Sequence, residues 1–174
     1  MKKLLLHHCC AVCTPEVLKF FRKNFNEVIG FWFNPNIYPE EEFQKRLSAL
    51  KDFSSQENHK LIVNTDCSNK EWLEEVARIG TEEPKRCEFC YSLRLKKTAV
   101  EAKNQCIENF STTLLSSPHQ KHELVKEIGE KIAVETGVNF IYKDFRPFFY
   151  NGKNEIRRRG LYIQKYCGCK FSLR

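Results

Sequence analysis

The stretch LLLHHCCAVCTPEV, residues 4–17, places three cysteines between a run of leucines and the start of a helix. The leucines are typical of a short buried strand, and Thr14 followed by Pro15 is typical of a helix N-cap with proline in the first turn. The thiols therefore occupy a loop in which a strand turns into a helix. Parallel sheets built from such units bind ligands at the carboxyl ends of their strands, so this loop is a candidate site.

Strand and helix patterns alternate along the rest of the sequence. Segments rich in β-branched and aromatic residues predict strands, and capping residues followed by apolar periodicity predict helices. We predict strands at 2–8, 27–34, 60–64, 107–114 and 139–143, and helices at 15–24, from 39, at 68–79, 86–104 and 118–136. This order predicts an α/β fold with a parallel five-stranded sheet flanked by helices, in which the loops after the first and fourth strands are neighbours. We expect a single domain, 1–174, ending in a cysteine-bearing C-terminal tail, 145–174.

Composition narrows the class of protein. With 174 residues, 41% of them hydrophobic, the chain is long enough for one domain with a full core. It contains no run of about 18 apolar residues, so no membrane span is expected. The apolar stretch near the N-terminus is too short for a signal peptide, and we therefore expect a cytoplasmic protein. The formal charge of +7 favours a polyanionic partner such as nucleic acid.

Seven of the nine cysteines form three groups: Cys9, Cys10 and Cys13; Cys87 and Cys90; Cys167 and Cys169. In a reducing compartment, clustered cysteines typically bind metal or carry out redox chemistry. Cys87 and Cys90 are three residues apart at a helix start, so their sulfurs share one face near the positive end of the helix, which favours thiolate. The two remaining cysteines, Cys67 and Cys106, are interpreted as small buried core residues.

Two kinds of metal centre fit these spacings. Two C-x-x-C pairs can enclose a structural zinc or supply four thiolates to an iron–sulfur cluster. Zinc leaves Cys9, Cys167 and Cys169 without a role, whereas an iron–sulfur centre beside further redox-active or metal-binding thiols uses all seven. Cys167-Gly-Cys169 is suited both to a reversible disulfide and to metal ligation, and the sequence leaves both open.

Histidines and basic residues near the thiols are further candidates. His8 is adjacent to the first cysteine group and is suited to stabilising a thiolate or transferring a proton. His119 is expected in the first turn of a helix, where anions bind readily. Candidate phosphate-binding residues are the basic run 157–159, Lys165, Lys170 and Arg174.

Six motifs together resemble the cobalamin-independent epoxyqueuosine reductase family, known as QueH. They are LLLHHCCAVCT (4–14), FNPNIYPEEEFQKRL (33–47), RCEFCYSLRL (86–95), FSTTLLSSPHQKHELVKEIGEK (110–131), DFR (144–146) and LYIQKYCGCKFS (161–172). Any one of them is modest evidence. Six in family order over nearly the whole chain are specific.

The resemblance implies an enzyme that removes the epoxide oxygen of epoxyqueuosine at the wobble position of tRNA, the last step of queuosine biosynthesis. It implies a [4Fe-4S] cluster, a second, mononuclear iron and an electron donor of unknown identity. The implied fold is akin to the adenine-nucleotide α-hydrolase (HUP) group. Since cysteines replace the phosphate-gripping glycine-serine loop of that group, nucleotide hydrolysis is not expected.

The same interpretation assigns roles to individual residues. The expected cluster ligands are Cys9, Cys10, Cys87 and Cys90. Cys13, Cys167 and Cys169 are expected to complete a second metal site or to pass electrons as a dithiol, and Asp144 is expected to act as a ligand or acid. The expected substrate contacts are Arg46, Tyr91, Arg94 and His119.

Two other classes of protein compete with the reductase. A zinc-stabilised, non-enzymatic RNA-binding module accounts for the basic charge and the two C-x-x-C pairs but leaves the C-G-C motif unexplained. A sulfur-transferring tRNA enzyme shares the fold class and the cysteines. That enzyme needs ATP, and the sequence has no glycine-rich phosphate loop.

Overall fold

The chain folds as a parallel sheet with helices on its faces, as the alternation predicts. The computed structural model describes residues 1–173; Arg174, named above as a candidate phosphate contact, lies outside them. The strands are β1 (Lys3–His7), β2 (Glu27–Trp32), β3 (Leu61–Val63), β4 (Asn109–Thr112) and β5 (Asn139–Phe140). The helices are α1 (Pro15–Asn24), α2 (Glu40–Gln56), α3 (Asn69–Ile79), α4 (Lys85–Asn104), α5 (His122–Thr136) and α6 (Phe149–Arg158).

The sheet has the strand order β3-β2-β1-β4-β5, and every neighbouring pair is parallel. The predicted parallel five-stranded sheet is confirmed. β1 is central, and Leu4, Leu5 and Leu6 are fully buried, as expected for a strand covered on both faces. The order reverses between β1 and β4, and the carboxyl ends of these two strands form the switch point at which such sheets bind ligands.

Local sequence signals account for several element boundaries. Pro15 opens α1, and the capping box between Ser68 and Glu71 opens α3. Gly137, in the left-handed conformation, ends α5. Among residues 1–173, none of the helices combines the length and apolarity that a membrane crossing requires.

Four details differ from the sequence-based expectation. β4 ends at Thr112 and continues as a 3₁₀ turn, so the helix expected from residue 118 begins at His122. β5 spans two residues rather than five. α6 lies in the tail 145–174, for which no helix was predicted; it buries Phe149, Gly152 and Ile156. Cys106, interpreted as a core residue, is exposed, and Cys67 is half-buried.

Candidate metal centre

Three thiols gather in the loop that follows β1. The sulfur atoms of Cys9, Cys10 and Cys13, here called the loop triad, all lie within 4.8 Å of one another. Those of Cys9 and Cys10 are 3.6 Å apart. Cys10 and Cys13 are buried, and Cys9 is half-buried. In the described part of the chain, no other group of three or more histidine, cysteine or acidic side chains is as compact.

Side chains from two distant segments contact the loop triad. Thr113, the first residue after β4, accepts a hydrogen bond from the backbone N–H of Cys9 at 2.9 Å and donates one to Cys9 Sγ at 3.2 Å. Gln164 Nε2 donates to Cys10 Sγ at 2.8 Å. The contacts of Thr113 confirm that the loops after the first and fourth strands are neighbours.

The three thiols differ in their affinity for protons. Hydrogen bonds from the Cys13 and Cys9 thiols hold the pKa of Cys10 well below its ordinary value. The bond to Cys10 in turn raises the pKa of Cys13 and raises the pKa of Cys9 to about 11. The loop triad thus favours one thiolate flanked by two thiols, and thiolate is the form of cysteine that binds metal.

A chain of buried hydrogen bonds supports the backbone of this loop. His8 Nδ1 lies 2.9 Å from Thr14 Oγ1, which lies 2.9 Å from the carbonyl oxygen of Cys10. Because a carbonyl oxygen only accepts, Thr14 donates to Cys10 and His8 Nδ1 donates to Thr14. His8 Nε2 then accepts from His59 Nε2 at 3.0 Å. A Cβ at Gly30 would lie 2.7 Å from His59 Nε2, so glycine at this position leaves room for the histidine ring.

His8 was considered as a proton donor or a thiolate partner. Burial holds its pKa well below the ordinary value, and the neighbouring His59 acts in the same direction. Its ring is therefore neutral, and both nitrogens are engaged by Thr14 and His59 rather than by sulfur. This geometry favours a role in holding the loop.

The other four clustered cysteines, Cys87, Cys90, Cys167 and Cys169, are here called the second thiol group. Cys90 and Cys169 pack in one apolar cluster. Burial raises the pKa of Cys87 to about 11 and that of Cys90 to about 12, and the nearby Cys167 adds to both shifts. These raised pKa values run opposite to the thiolate that the helix start was expected to favour at Cys87 and Cys90. The contact between α4 and the tail brings the C-x-x-C motif of Cys87 and Cys90 close to the C-x-C motif of Cys167 and Cys169.

Arg94 lies between the two sets of thiols. Its side chain is 4% exposed. Nη2 donates to Asn34 Oδ1 at 2.6 Å, and Nη1 lies 3.8 Å from Cys90 Sγ. Its pKa is raised by the nearby thiols of Cys90 and Cys9, against the opposing effect of burial. Among residues 1–173 it has no carboxylate partner, so its charge is available to balance negative sulfur.

Arg46 fixes the tail against α2. Its Nε donates to Glu42 Oε1 at 2.6 Å, and both side chains are buried. Nη2 and Nη1 donate to the carbonyl oxygens of Tyr166 and Cys167 at 2.9 Å and 3.2 Å. The backbone N–H of Tyr38 donates to the carbonyl oxygen of Gly168 at 2.8 Å. These contacts position the segment that carries Cys167 and Cys169.

A cavity of about 1290 Å³ opens above the thiols. Its walls include the whole loop triad, Cys167, Arg94 and residues of α2, α6 and the tail. It lies at the carboxyl ends of β1 and β4, where the fold predicts a ligand. Its size exceeds that of ordinary small-molecule pockets, which occupy roughly 300–1,000 Å³.

The expected substrate contacts lie in different surroundings. Arg46 and Arg94 line the cavity but are buried and already hydrogen-bonded. Tyr91 is buried beside the cavity, where its hydroxyl donates to Gln120 Oε1 at 2.8 Å. His119 lines the cavity from a loop before α5. It was expected inside the first turn of that helix, and the later start of α5 excludes this.

Asp144 is tied to its neighbour rather than to a thiol. Arg146 donates to both of its carboxylate oxygens, the closer pair being 2.6 Å apart. These bonds lower the pKa of Asp144 to about 2. At neutral pH the side chain is therefore a carboxylate, which suits a ligand and not a proton donor.

Two residues at the site carried no sequence signal. Thr113 and Gln164 touch the sulfur atoms of Cys9 and Cys10. Neither residue belongs to a recognisable spacing pattern. Only their presence inside the motifs 110–131 and 161–172 marked them.

Fold and site together define an α/β protein with a thiol-lined cavity at the carboxyl edge of a parallel sheet. A family model described as epoxyqueuosine reductase QueH matches residues 4–174. An epoxyqueuosine reductase QueH of Dehalococcoides mccartyi is 38% identical over 170 residues, covering 98% of this chain and 92% of that protein. One of Thermotoga maritima is 34% identical over 180 residues, covering 99% of this chain and 91% of that protein.

These similarities confirm the resemblance seen in the six motifs. The chain belongs to the epoxyqueuosine reductase QueH family.

Proposed function

We propose that this chain is an oxidoreductase that reduces the epoxide of epoxyqueuosine in tRNA, without cobalamin, to the cyclopentene of queuosine. Its family membership supports this reaction. The observation that carries the proposal is a loop triad of sulfurs within 4.8 Å of one another that lines a cavity of about 1290 Å³. A cavity of this size has room for a nucleoside in contact with the sulfur atoms. We further propose that the protein acts in the cytoplasm as one domain, 1–174.

The reaction fixes what the site must supply. Removing the epoxide oxygen as water consumes two electrons and two protons and leaves a carbon–carbon double bond. Among protein side chains, only a pair of thiols can supply these two electrons, by forming a disulfide. The chain therefore needs bound redox groups, or a dithiol, that an external electron donor can recharge.

The residues present fit an iron–sulfur group. Soft thiolates select iron–sulfur clusters, zinc and copper(I), and a [4Fe-4S] cluster takes four cysteines. When bound, such a cluster supplies electrons, and a second, mononuclear iron supplies a Lewis acid. Cys9, Cys10, Cys87 and Cys90 remain our proposed cluster ligands, but the compactness of the loop triad favours Cys13 as a competitor for one position.

Cys167 and Cys169 are suited to binding the second iron or to transferring electrons. Cys167 lines the cavity, and its proximity raises the pKa of Cys87, Cys90 and Cys169. With Cys13, the C-G-C pair is proposed to hold the second iron or to pass electrons as a dithiol. Asp144, a carboxylate at neutral pH, is proposed as a ligand rather than an acid.

The chain's own side chains prepare the site for charge. Arg94 places a buried cation near Cys9 and Cys90, and Gln164 donates a hydrogen bond to Cys10 Sγ. Both stabilise negative sulfur, Arg94 from a buried position where its charge is weakly screened. His119, on the cavity wall, is proposed to donate a hydrogen bond to the substrate.

The test is a nucleoside assay. Chain purified without oxygen is incubated with tRNA from cells that accumulate epoxyqueuosine, and dithionite replaces the physiological electron donor. Mass spectrometry of the digested tRNA should show loss of one oxygen atom from the modified nucleoside. Cys10→Ser should abolish the change, while the matched control Cys106→Ser, at an exposed cysteine away from the cavity, should retain it. Unchanged epoxyqueuosine with wild-type chain carrying iron and sulfide would refute the proposed reaction.

A further inference from the structure

One face of α6 runs along the cavity. Phe149, Lys153 and Arg157 are spaced four residues apart, so they project from the same side of the helix. All three line the cavity that contains the loop triad. The rise of an α-helix places the Cα atoms of Lys153 and Arg157 about 6 Å apart along its axis. Neighbouring phosphates on one nucleic-acid strand have a similar separation.

Gly152 allows this helix to pack directly against the cysteine loop. A Cβ at Gly152 would lie 2.9 Å from the carbonyl oxygen of Val12 and 3.6 Å from Pro15 Cδ. Only glycine allows α6 to approach this closely. The cations of α6 are therefore held at a fixed distance from Cys13, which follows Val12 directly in the sequence.

Neither cation is neutralised within the described residues 1–173. Lys153 has no ion pair there, and the Arg157 side chain hydrogen-bonds to Asn154 Oδ1 at 2.9 Å. Arg159, in contrast, is neutralised by ion pairs with Glu57 and Glu155, each at 2.6 Å. The basic run 157–159 is thus divided, and Arg157 is its member on the cavity wall.

The rest of the cavity wall carries further basic side chains and one acidic side chain. The exposed Lys165 of the tail lines it too, and has no ion pair in the described part of the chain. The acidic residue on the wall, Glu42, gives one oxygen to Arg46 and the other to the Tyr162 hydroxyl, both at 2.6 Å. The field at the cavity mouth is therefore positive.

We propose that Lys153 and Arg157, with Lys165 of the same cavity wall, bind the backbone phosphates that flank the reacting nucleotide. The RNA single strand then follows α6, and the nucleotide between the bound phosphates turns into the cavity. Enzymes that modify a base reach it in this way, from a single strand or by extrusion. This inference rests on the proposed function for the identity of the RNA.

The experiment measures RNA binding and not the reaction. A fluorescent anticodon stem–loop RNA is titrated with wild-type chain and with Lys153→Gln/Arg157→Gln over a range of salt concentrations. Each phosphate contact on a single strand contributes a salt slope of about 0.7, so the double variant should lose about 1.4 from the slope and bind roughly tenfold more weakly or worse at low salt. Restoring charge with Lys153→Arg/Arg157→Lys should restore the slope.

Two control variants make the result specific. Lys23→Gln changes an exposed cation of α1 that lies outside the cavity lining. Lys131→Gln changes an exposed cation on α5. Both should bind the stem–loop as wild type does.

The outcomes separate this inference from the proposed function. An unchanged salt slope in the double variant, or an equal loss in the two controls, would overturn the proposal that Lys153 and Arg157 bind RNA phosphates. Selective loss of binding in the double variant would support it even if wild-type chain left the epoxide intact, because the two measurements are independent.

Discussion

The guanidinium of Arg46 donates from Nη2 to the carbonyl oxygen of Tyr166 at 2.9 Å, and so joins α2 to the tail that carries the C-G-C motif. Its other partner is the buried carboxylate of Glu42. One arginine on a helix thereby determines where two distant thiols lie.

Replacing Arg46 should release the tail. Arg46→Met removes the donors to Tyr166 and Cys167 and leaves the buried Glu42 without its cation, a change that costs about 3–5 kcal/mol at buried ion pairs. Hydrogen exchange should rise at residues 162–169, while Lys51→Gln, at an exposed position on the same helix, should leave it unchanged. Equal protection of the tail in the two variants would mean that other contacts hold it.

A methyl group at Gly152 should disturb the seat of α6. Alanine gains about 1 kcal/mol of helix propensity over glycine, but its Cβ meets the backbone oxygen of Val12. Overpacking of this kind costs about 1–3 kcal/mol. Urea unfolding should therefore show Gly152→Ala to be less stable than Asn151→Ala, a control at an exposed position of α6. A Gly152→Ala chain of equal or greater stability would show that the helix can move away freely.

The hydroxyl of Thr14 should matter more than its methyl group. Thr14→Val keeps the shape but leaves His8 Nδ1 without an acceptor and the carbonyl oxygen of Cys10 without this donor. Unsatisfied buried groups cost about 1–3 kcal/mol each. Thr14→Ser keeps the hydroxyl and should stay within about 1 kcal/mol of wild type in urea unfolding. Equal stability of the valine and serine variants would contradict the assigned hydrogen-bond directions.

Acidification should destabilise the protein through His59. Burial, with a smaller effect of Arg22, lowers the pKa of His59 to about 4, whereas an unfolded histidine has a pKa near 6.5. Between these values the unfolded chain binds a proton that the folded protein does not. The unfolding free energy therefore falls as pH decreases, by about 1.4 kcal/mol per pH unit at most.

The control for this effect is a residue that cannot titrate. His59→Gln retains an amide N–H that can face His8 and has no pKa in this range. Between about pH 7.5 and about pH 5, wild-type chain should lose about 2 kcal/mol more unfolding free energy than the variant. Parallel curves of stability against pH would exclude His59 as the titrating group.

The sequence predicted the features that depend on local patterns. The order of strands and helices, the position of the cysteine loop and its proximity to the loop after β4 all follow from apolar runs and caps. α6 was missed although Phe149, Gly152 and Ile156 lie on one face, because its sequence is polar on average and follows the last predicted strand.

Side-chain burial was the feature that the sequence could not provide. Glu42 and Arg46 are four residues apart, which is also the spacing of an exposed helical ion pair. Their burial depends on the tail, more than a hundred residues further on. Arg94 was likewise expected to contact substrate, and its position between two thiol sets depends on α4, Asn34 and the loop of Cys9. Long-range packing of this kind leaves no local trace.

We propose that thiols from three distant stretches of the chain hold an iron–sulfur centre. The most direct test of this proposal is the iron and acid-labile sulfide content of chain purified without oxygen. We predict iron and sulfide together, iron in slight excess, with both lost in Cys10→Ser and kept in Cys106→Ser. A colourless protein with stoichiometric zinc and no sulfide would contradict the claim and favour a zinc-stabilised RNA-binding module.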